Sequence, residues 1–159
     1  MRAQIQTQIF VYILAVVIAG LIIGFGAYWI IKITKAARAA ELEQFGQGLA
    51  SKIGMINYES MKTYNLQVPT GFGEACFIDL NQKAKASGDG LDKKPVIYSS
   101  WNSNVKKNFF FYPNGADSFY IGNITIDNPA GFLCLNISYG MLSFRAKGLG
   151  HSVRISSVV

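Results

Sequence analysis

The chain has 159 residues, about the length of one domain, with 15 basic and 9 acidic side chains and a formal net charge of +6. Charged residues make up 15% and hydrophobic residues 50% of the sequence, whereas soluble domains are roughly 25% charged. The stretch Ala3–Ile31 has no Asp, Glu, Lys or Arg, and no second stretch of similar length follows. This composition excludes a simple soluble protein, a disordered chain and a multi-span transporter, and it indicates one apolar segment joined to one globular domain.

The apolar segment, residues 9–31, consists only of apolar, aromatic and glycine residues. As a helix it spans roughly 35 Å, enough for a hydrocarbon core of about 30 Å. Aromatic side chains lie near both ends and lysines follow it, as is typical of membrane interfaces: Tyr12, Tyr28, Trp29, Lys32 and Lys35. We predict a transmembrane or filament-core helix over residues 4–31. A buried helix of a soluble protein and a cleaved secretory signal peptide are the alternatives.

Small residues recur four positions apart in the apolar segment. Ala15 and Ala19 form one such pair, and Gly20 and Gly24 form another. Small residues at this spacing let a second helix approach closely, although Gly and Ala are also common in membrane helices for other reasons. The pattern predicts helix packing through these four residues.

A short polar edge precedes the apolar segment. Met1–Ala3 contains one basic residue, and Gln4–Gln8 reads Gln-Ile-Gln-Thr-Gln directly before the apolar run. This edge resembles the class III signal peptide of archaeal type IV pilins and archaellins, in which a short basic leader is removed and the hydrophobic helix is retained. The resemblance implies that a prepilin-type peptidase cuts between Ala3 and Gln4, with residues 1–3 as the leader. A helix that simply enters the membrane interface is the alternative explanation of the glutamines.

The helix pattern continues beyond the apolar segment. Residues 32–66 lack proline and are rich in good helix formers, and Pro69 must end any helix before it. Apolar residues recur there at steps of three and four: Leu42, Phe45, Leu49, Ile53 and Ile56. We predict an amphipathic continuation of the helix that packs this stripe on the C-terminal domain; a juxtamembrane coiled-coil stalk is the alternative.

The sequence from residue 67 to residue 159 has the texture of a β domain. Aromatic and β-branched runs alternate with Gly, Asn, Asp and Pro turns. The predicted strands are Ala75–Leu80, Pro95–Ser100, Asn108–Tyr112, Ser118–Ile126, Phe132–Ser138, Leu142–Lys147 and Ser152–Ser156. The expected fold class is α+β, a long N-terminal helix followed by a small antiparallel sheet or sandwich.

Two cysteines, Cys76 and Cys134, each lie in a predicted strand between apolar neighbours. We predict a disulfide between them; two buried free thiols are the alternative. Two Asn-x-Ser/Thr sequons begin at Asn123 and Asn136 and are candidate glycosylation sites of an extracytoplasmic domain. Asn136 is the poorer candidate if its strand face is buried.

Membrane orientation receives conflicting signals. The basic residues after the apolar segment outnumber those before it, which by the positive-inside rule places the C-terminal domain in the cytoplasm. The disulfide, the sequons and the leader favour the outside, and we predict an extracytoplasmic domain.

No catalytic or cofactor motif is recognisable. His151 is the only histidine, which excludes a Ser-His-Asp triad and a histidine-rich zinc site, and two cysteines with one histidine do not provide four metal ligands. Asp89 and Asp92 are more typical of a turn than of a calcium site, and Glu74 with Asp79 is a weak acid/base candidate. We therefore expect no enzyme activity, no cofactor and no metal.

One basic, aromatic region stands out in the second half of the chain, formed by Lys83, Lys85, Lys93, Lys94, Lys106 and Lys107 with Trp101 and Phe109–Tyr112. A surface for acidic polymers, lipids or DNA is one interpretation. A solvated loop beside core strands is the one we favour, so no nucleic acid is expected as a partner.

Together these features predict a subunit of an archaeal type IV pilus-like surface filament. Such a subunit is held by membrane lipid before assembly, and then self-associates through its N-terminal helix. The alternative is a single-pass, membrane-anchored binding or accessory protein that does not polymerise.

Overall fold

The computed structural model describes residues 3–82, 91, 94–103, 105–113 and 118–158, with side chains from residue 9 onward. The chain divides into two compact units, Met1–Ala40 and Glu41–Val159. The described residues of the first unit, from Ala3 on, are all helical. The second unit contains the last turns of that helix together with every strand of the described residues.

Helix α1 extends over Ala3–Gly54, which confirms the long N-terminal helix. The prediction that it continues to residue 66 was wrong, because strand β1 occupies Met61–Gln67 and pairs with a later strand along its whole length. Tyr64 and Leu66 point inward at every second position, which is a strand period, whereas the helical stripe ends near Ile56. In this region, pairing with a neighbouring strand therefore outweighs the helix propensity of the individual residues.

The second unit is a sandwich of two four-stranded sheets. The orders are β1-β7-β8-β5 and β4-β3-β2-β6, and every pairing is antiparallel except β5 with β8. The elements after β1 are β2 (Glu74–Ile78), α2 (Pro95–Asn102), β3 (Phe109–Tyr112), β4 (Ser118–Phe119), β5 (Ile124–Ile126), β6 (Phe132–Asn136), β7 (Met141–Gly148) and β8 (Val153–Ser157). The chain is thus of the α+β class, as expected.

Two predicted strands differ in the structure. Pro95–Ser100 is the start of α2, a helix with proline at its first position, in which Ile97 and Trp101, one turn apart, are both buried. The β-branched Val96 and Ile97 suggested a strand, and the spacing of Ile97 and Trp101 did not decide the matter, because residues four apart share a face in a strand as well as in a helix. Ser118–Ile126 is divided into β4 and β5, with Gly122 at a φ of 108° between them.

The main core joins three elements. Leu42, Leu49 and Ile53 of α1 are buried in one cluster with side chains from both sheets, such as Phe77 and Phe144. These residues belong to the predicted stripe of α1, and Phe45 and Ile56 pack at the edge of the same cluster. The amphipathic part of the helix is therefore held by the β sandwich.

The sheet that contains β3 is covered on both faces. Phe109 and Phe111 belong to the main core, while Phe110 lies in a second cluster with Ile97 and Trp101 of α2. A strand buried on both faces reads as a continuous apolar run, which explains the sequence Phe-Phe-Phe. By contrast β7 alternates between buried and more exposed residues, because only one of its faces meets the core.

Candidate functional site

The apolar segment of α1 has no cover within its own unit. Every Ile, Leu, Val, Phe, Tyr and Trp between residues 9 and 31 is exposed, from 47% for Ile18 to 73% for Val16. The helix is long and apolar enough to cross a membrane. A helix that is hydrophobic all round is stable only where something apolar surrounds it, so lipid or other protein must cover this surface.

The small residues form two faces rather than one stripe. At 100° per residue, Gly20 and Gly24 lie roughly 140° around the helix from Ala15 and Ala19. Gly26 lies near the alanine pair. A Cβ placed on Gly20, Gly24 or Gly26 would meet no atom within 4 Å, so packing inside the chain does not explain these glycines.

Aromatic and basic side chains mark the C-terminal end of the apolar segment. The Lys32 ammonium lies 5.4 Å from the centre of the Trp29 ring, and Tyr28 meets Trp29 edge to face. This contact brings a cation and an amphipathic ring together where a membrane interface favours both.

The predicted cleavage point falls at the start of α1. Ala3 and Gln4 have helical backbone, while their side chains and residues 1 and 2 lie outside the described part of the chain. Cleavage between Ala3 and Gln4 stays a prediction.

The predicted disulfide is present. Cys76 and Cys134 are directly opposite each other in the antiparallel pair of β2 and β6, and their sulfurs are bonded. Cys76 is fully buried in the second core cluster, beneath α2. The bond therefore joins the centre of one sheet to its edge strand and lies under the α2 side of the fold.

A cluster of polar side chains surrounds the disulfide. The Lys94 ammonium forms an ion pair with Glu74, lies 3.7 Å from the Cys76 sulfur and is 5.0 Å from the centre of the Tyr112 ring. Glu74 and the two cysteines are close enough to share a metal ion. Because the sulfurs are bonded to each other, neither provides the thiolate that a metal site needs.

The asparagines of the two sequons, Asn123 and Asn136, are both exposed but differ in their hydrogen bonds. Asn123 precedes β5 instead of lying within a strand; its carboxamide donates to the His151 carbonyl at 2.9 Å and accepts from Asn81 at 3.2 Å. The hydroxyl of Thr125, the third residue of that sequon, is buried. Asn136 and Ser138 are both exposed at the end of an edge strand. The condition under which Asn136 was the poorer candidate is therefore not met, and glycosylation of either asparagine stays a prediction.

The basic, aromatic region does not form one surface among the described residues. Phe109, Phe110 and Phe111 fill the two cores, Lys94 pairs with Glu74, and Lys106 is exposed. Lys83, Lys85, Lys93, Asp89 and Asp92 lie outside the described residues. Asp79 is buried and accepts hydrogen bonds from Asn81 and Gln82, so it is not paired with Glu74.

A cleft of about 690 Å³ opens in the second unit, which the sequence did not indicate. Its lining comes from separate parts of the chain, with Leu80–Gln82 after β2, Trp101 and Asn102 at the end of α2, Lys106, and Tyr120 near β4. The only sequence signal is that each of these turns carries a carboxamide or an aromatic residue. Because the turns are brought together only by the fold, that signal was not recognisable beforehand.

Comparison of the chain with protein-family models, with curated proteins and with solved structures gave no match.

Proposed function

We propose that the protein is a structural subunit or minor component of an archaeal type IV pilus-like surface filament. The observation that carries the proposal is the uncovered apolar segment of α1 next to a stripe of α1 that is packed into the β sandwich. One helix with these two parts suits a subunit that stores its apolar segment in lipid and then buries it among other copies.

The two small-residue faces favour assembly over simple pairing. A helix dimer uses one close-contact face, whereas Ala15 with Ala19 and Gly20 with Gly24 provide two, roughly 140° apart. Glycine lowers helix stability by about 1 kcal/mol relative to alanine. Glycines that no contact within the chain explains are accounted for by neighbouring helices on more than one side.

The non-polymerising alternative is a single-pass anchor carrying an extracytoplasmic binding domain. It is favoured by the Trp29–Lys32 contact, which suits a permanent position at a membrane interface. Both proposals place the β domain outside the cytoplasm, where a disulfide persists.

The decisive experiment is isolation of the protein from its own cells, with sheared surface material and membranes sedimented separately. A filament subunit is expected in the sheared fraction with Gln4 as its first residue. Recovery only from membranes, as a monomer that still begins at Met1, contradicts the filament proposal and supports the anchor.

A pair of variants tests the role of the small residues. Gly24→Leu adds a branched side chain to the glycine face and is expected to abolish sedimentable filaments while the membrane-bound protein remains. Ile18→Leu, roughly a third of a turn away, keeps side-chain volume and serves as the control that assembles normally. Equal filament yields from both variants would contradict packing through Gly24.

A further inference from the structure

The walls of the cleft in the second unit are fixed by the buried polar side chains of the described core. These are Asp79 and Asn108. Asp79 accepts a hydrogen bond from the Asn81 amide at 2.9 Å and another from Gln82, which fixes the turn on one wall. Asn108 donates to the Gly122 carbonyl at 2.7 Å and accepts from the Ile121 amide at 2.9 Å, which fixes the other wall.

Buried polar groups are retained where they specify a local arrangement, since each must be fully hydrogen-bonded to be tolerated. The hydrogen bonds of Asp79 and Asn108 fix the backbone on two walls of the cleft, so the shape of the cleft is determined by the fold. Its volume lies in the range of small-molecule binding sites, roughly 300–1,000 Å³.

The lining combines carboxamides with aromatic rings. The lining contains the carboxamides of Asn81, Gln82, Asn102 and Asn123. Asn81 donates to Asn123, Asn123 donates to the His151 carbonyl and Gln82 donates to Asp79, so a ligand would use the amide of Asn102 and the remaining hydrogen-bonding groups of Gln82. Tyr120 is 52% exposed. Trp101 is mostly buried and is anchored by its ring N–H, which donates to the Gln82 carbonyl at 3.0 Å.

The charge of the lining argues against a strongly ionic ligand. Of the described residues that line the cleft, Lys106 alone carries a charge, and none has a carboxylate. Nucleic acids are bound largely through several cationic contacts to phosphates, which the one lysine among the described lining residues does not supply. A neutral ligand rich in hydroxyl groups matches the amides better.

We propose that this cleft binds a saccharide of neutral sugars. One sugar ring stacks on the face of Tyr120, and its hydroxyl groups exchange hydrogen bonds with the carboxamides of Gln82 and Asn102. Asn102 is exposed at the end of α2 and has no side-chain hydrogen bond to another described residue, so its amide is available to the ligand. The proposal holds whether the protein polymerises or remains a membrane anchor.

The two tryptophans of the chain, Trp29 and Trp101, make a direct assay possible. Trp29→Phe leaves Trp101 as the single reporter in the cleft wall. The full-length protein is reconstituted in lipid nanodiscs, because detergents with sugar headgroups would compete. It is first screened on a glycan array, and maltotriose, tri-N-acetylchitotriose and any glycan retained on the array are then titrated by fluorescence, with poly(dT) as the nucleic-acid probe.

The expected result is saturable binding of at least one neutral oligosaccharide that Tyr120→Ala weakens by about tenfold or more. Asn102→Ala is expected to weaken it by a smaller factor. Tyr139→Ala removes a fully exposed tyrosine outside the cleft and is the matched control that keeps wild-type affinity.

Three outcomes overturn the proposal. The first is that no glycan binds on the array or in titration, and the second is that binding is unchanged in Tyr120→Ala. The third is that poly(dT) alone is bound, which assigns the cleft to nucleic acid. Thermal unfolding of each variant shows whether a loss of binding comes from loss of the fold.

Discussion

The two parts of α1 have opposite surroundings although they form one continuous element. Leu42, Leu49 and Ile53 near its C-terminal end are buried with the β sandwich, whereas every large side chain of the apolar segment is exposed. The amphipathic part is stabilised within one chain. The all-apolar part is not, so lipid or other protein must cover it.

Gly46 in the packed part of α1 differs in the same way from the glycines of the apolar segment. A Cβ on Gly46 would lie 2.5 Å from a ring carbon of Phe119, so the close approach of the helix to the sandwich requires glycine there. A Cβ on Gly20 or Gly24 would meet nothing within 4 Å. The fold of a single chain thus explains Gly46, but not Gly20 or Gly24, and in the packed part Gly48 and Gly54 also have nothing within 4 Å of an added Cβ.

The largest expected effect is on the free energy of unfolding of the second unit, when its disulfide is removed. Replacing both cysteines, Cys76→Ala with Cys134→Ala, removes a bond that joins residues 58 positions apart. The chain-entropy model gives a loss of about 4 kcal/mol in the free energy of unfolding. Urea unfolding followed by Trp101 fluorescence in the Trp29→Phe background measures it.

Membrane extraction of the same double variant is the control, because the apolar segment contains neither cysteine and is expected to remain membrane-bound. A free energy of unfolding within about 0.5 kcal/mol of the parent would contradict a stabilising disulfide. Two titratable thiols in the unfolded, unreduced parent protein would refute the bond itself.

A matched pair of leucines tests whether the two parts of α1 contribute differently to the stability of the β domain. Leu49 is 1% exposed in the packed part of α1, and Leu21 is 55% exposed in the apolar segment. Leu49→Ala is expected to lower the free energy of unfolding of the β domain by about 3 kcal/mol, since it leaves a cavity in the core. Leu21→Ala is expected to leave it unchanged, and equal losses in the same urea assay would contradict the division of α1 into two parts.

A pair of glycines tests whether the close contact between α1 and the sandwich requires glycine, and the expected effect is smaller. Gly46→Ala forces the Phe119 ring to move and is expected to destabilise the β domain by about 1–3 kcal/mol. Gly48→Ala, two residues away with nothing within 4 Å of its added Cβ, is expected to stabilise it by up to about 1 kcal/mol. Thermal unfolding of the two variants side by side decides whether the helix needs glycine at the sandwich contact.

The smallest effect on stability concerns the surface of the second unit. If the protein is glycosylated in its own cells, peptide mass spectrometry is expected to find the glycan on Asn136, which is exposed, and not on Asn123, whose carboxamide is hydrogen-bonded on both sides. Asn136→Gln is expected to remove the glycan and to leave the unfolding temperature nearly unchanged. A glycan found on Asn123 alone would contradict this ranking.

The parts of the fold that could be predicted are those with a one-dimensional signal. The apolar segment is visible in composition, β7 alternates because one face is solvated, and Phe109–Phe111 reads as a strand buried on both sides. The end of α1 was misplaced because good helix formers continue into β1, whose strand state depends on pairing with β7. Helix α2 was mistaken for a strand because the β-branched Val96 and Ile97 and the aromatic Tyr98 follow one another near its start.

The functional sites differ in the same way. The disulfide was predictable because both cysteines lie in predicted strands between apolar neighbours, and the structure contains it. Helix packing through Ala15, Ala19, Gly20 and Gly24 stays a prediction from their spacing. The cleft does not, because Gln82, Trp101 and Tyr120 come from separate turns that only the sandwich brings together. Its supports, Asp79 and Asn108, are recognisable only after burial shows that they are enclosed.

The most direct test of the central claim is photo-crosslinking of the apolar segment in the protein's own cells. Phe25 borders the groove left by Gly20 and Gly24, and replacing it with the photoreactive analogue benzoylphenylalanine keeps an aromatic side chain there. If other copies cover the apolar segment, irradiation of surface filaments gives a ladder of covalent dimers, trimers and larger multiples of the chain. A product consisting only of monomer crosslinked to lipid would contradict the claim.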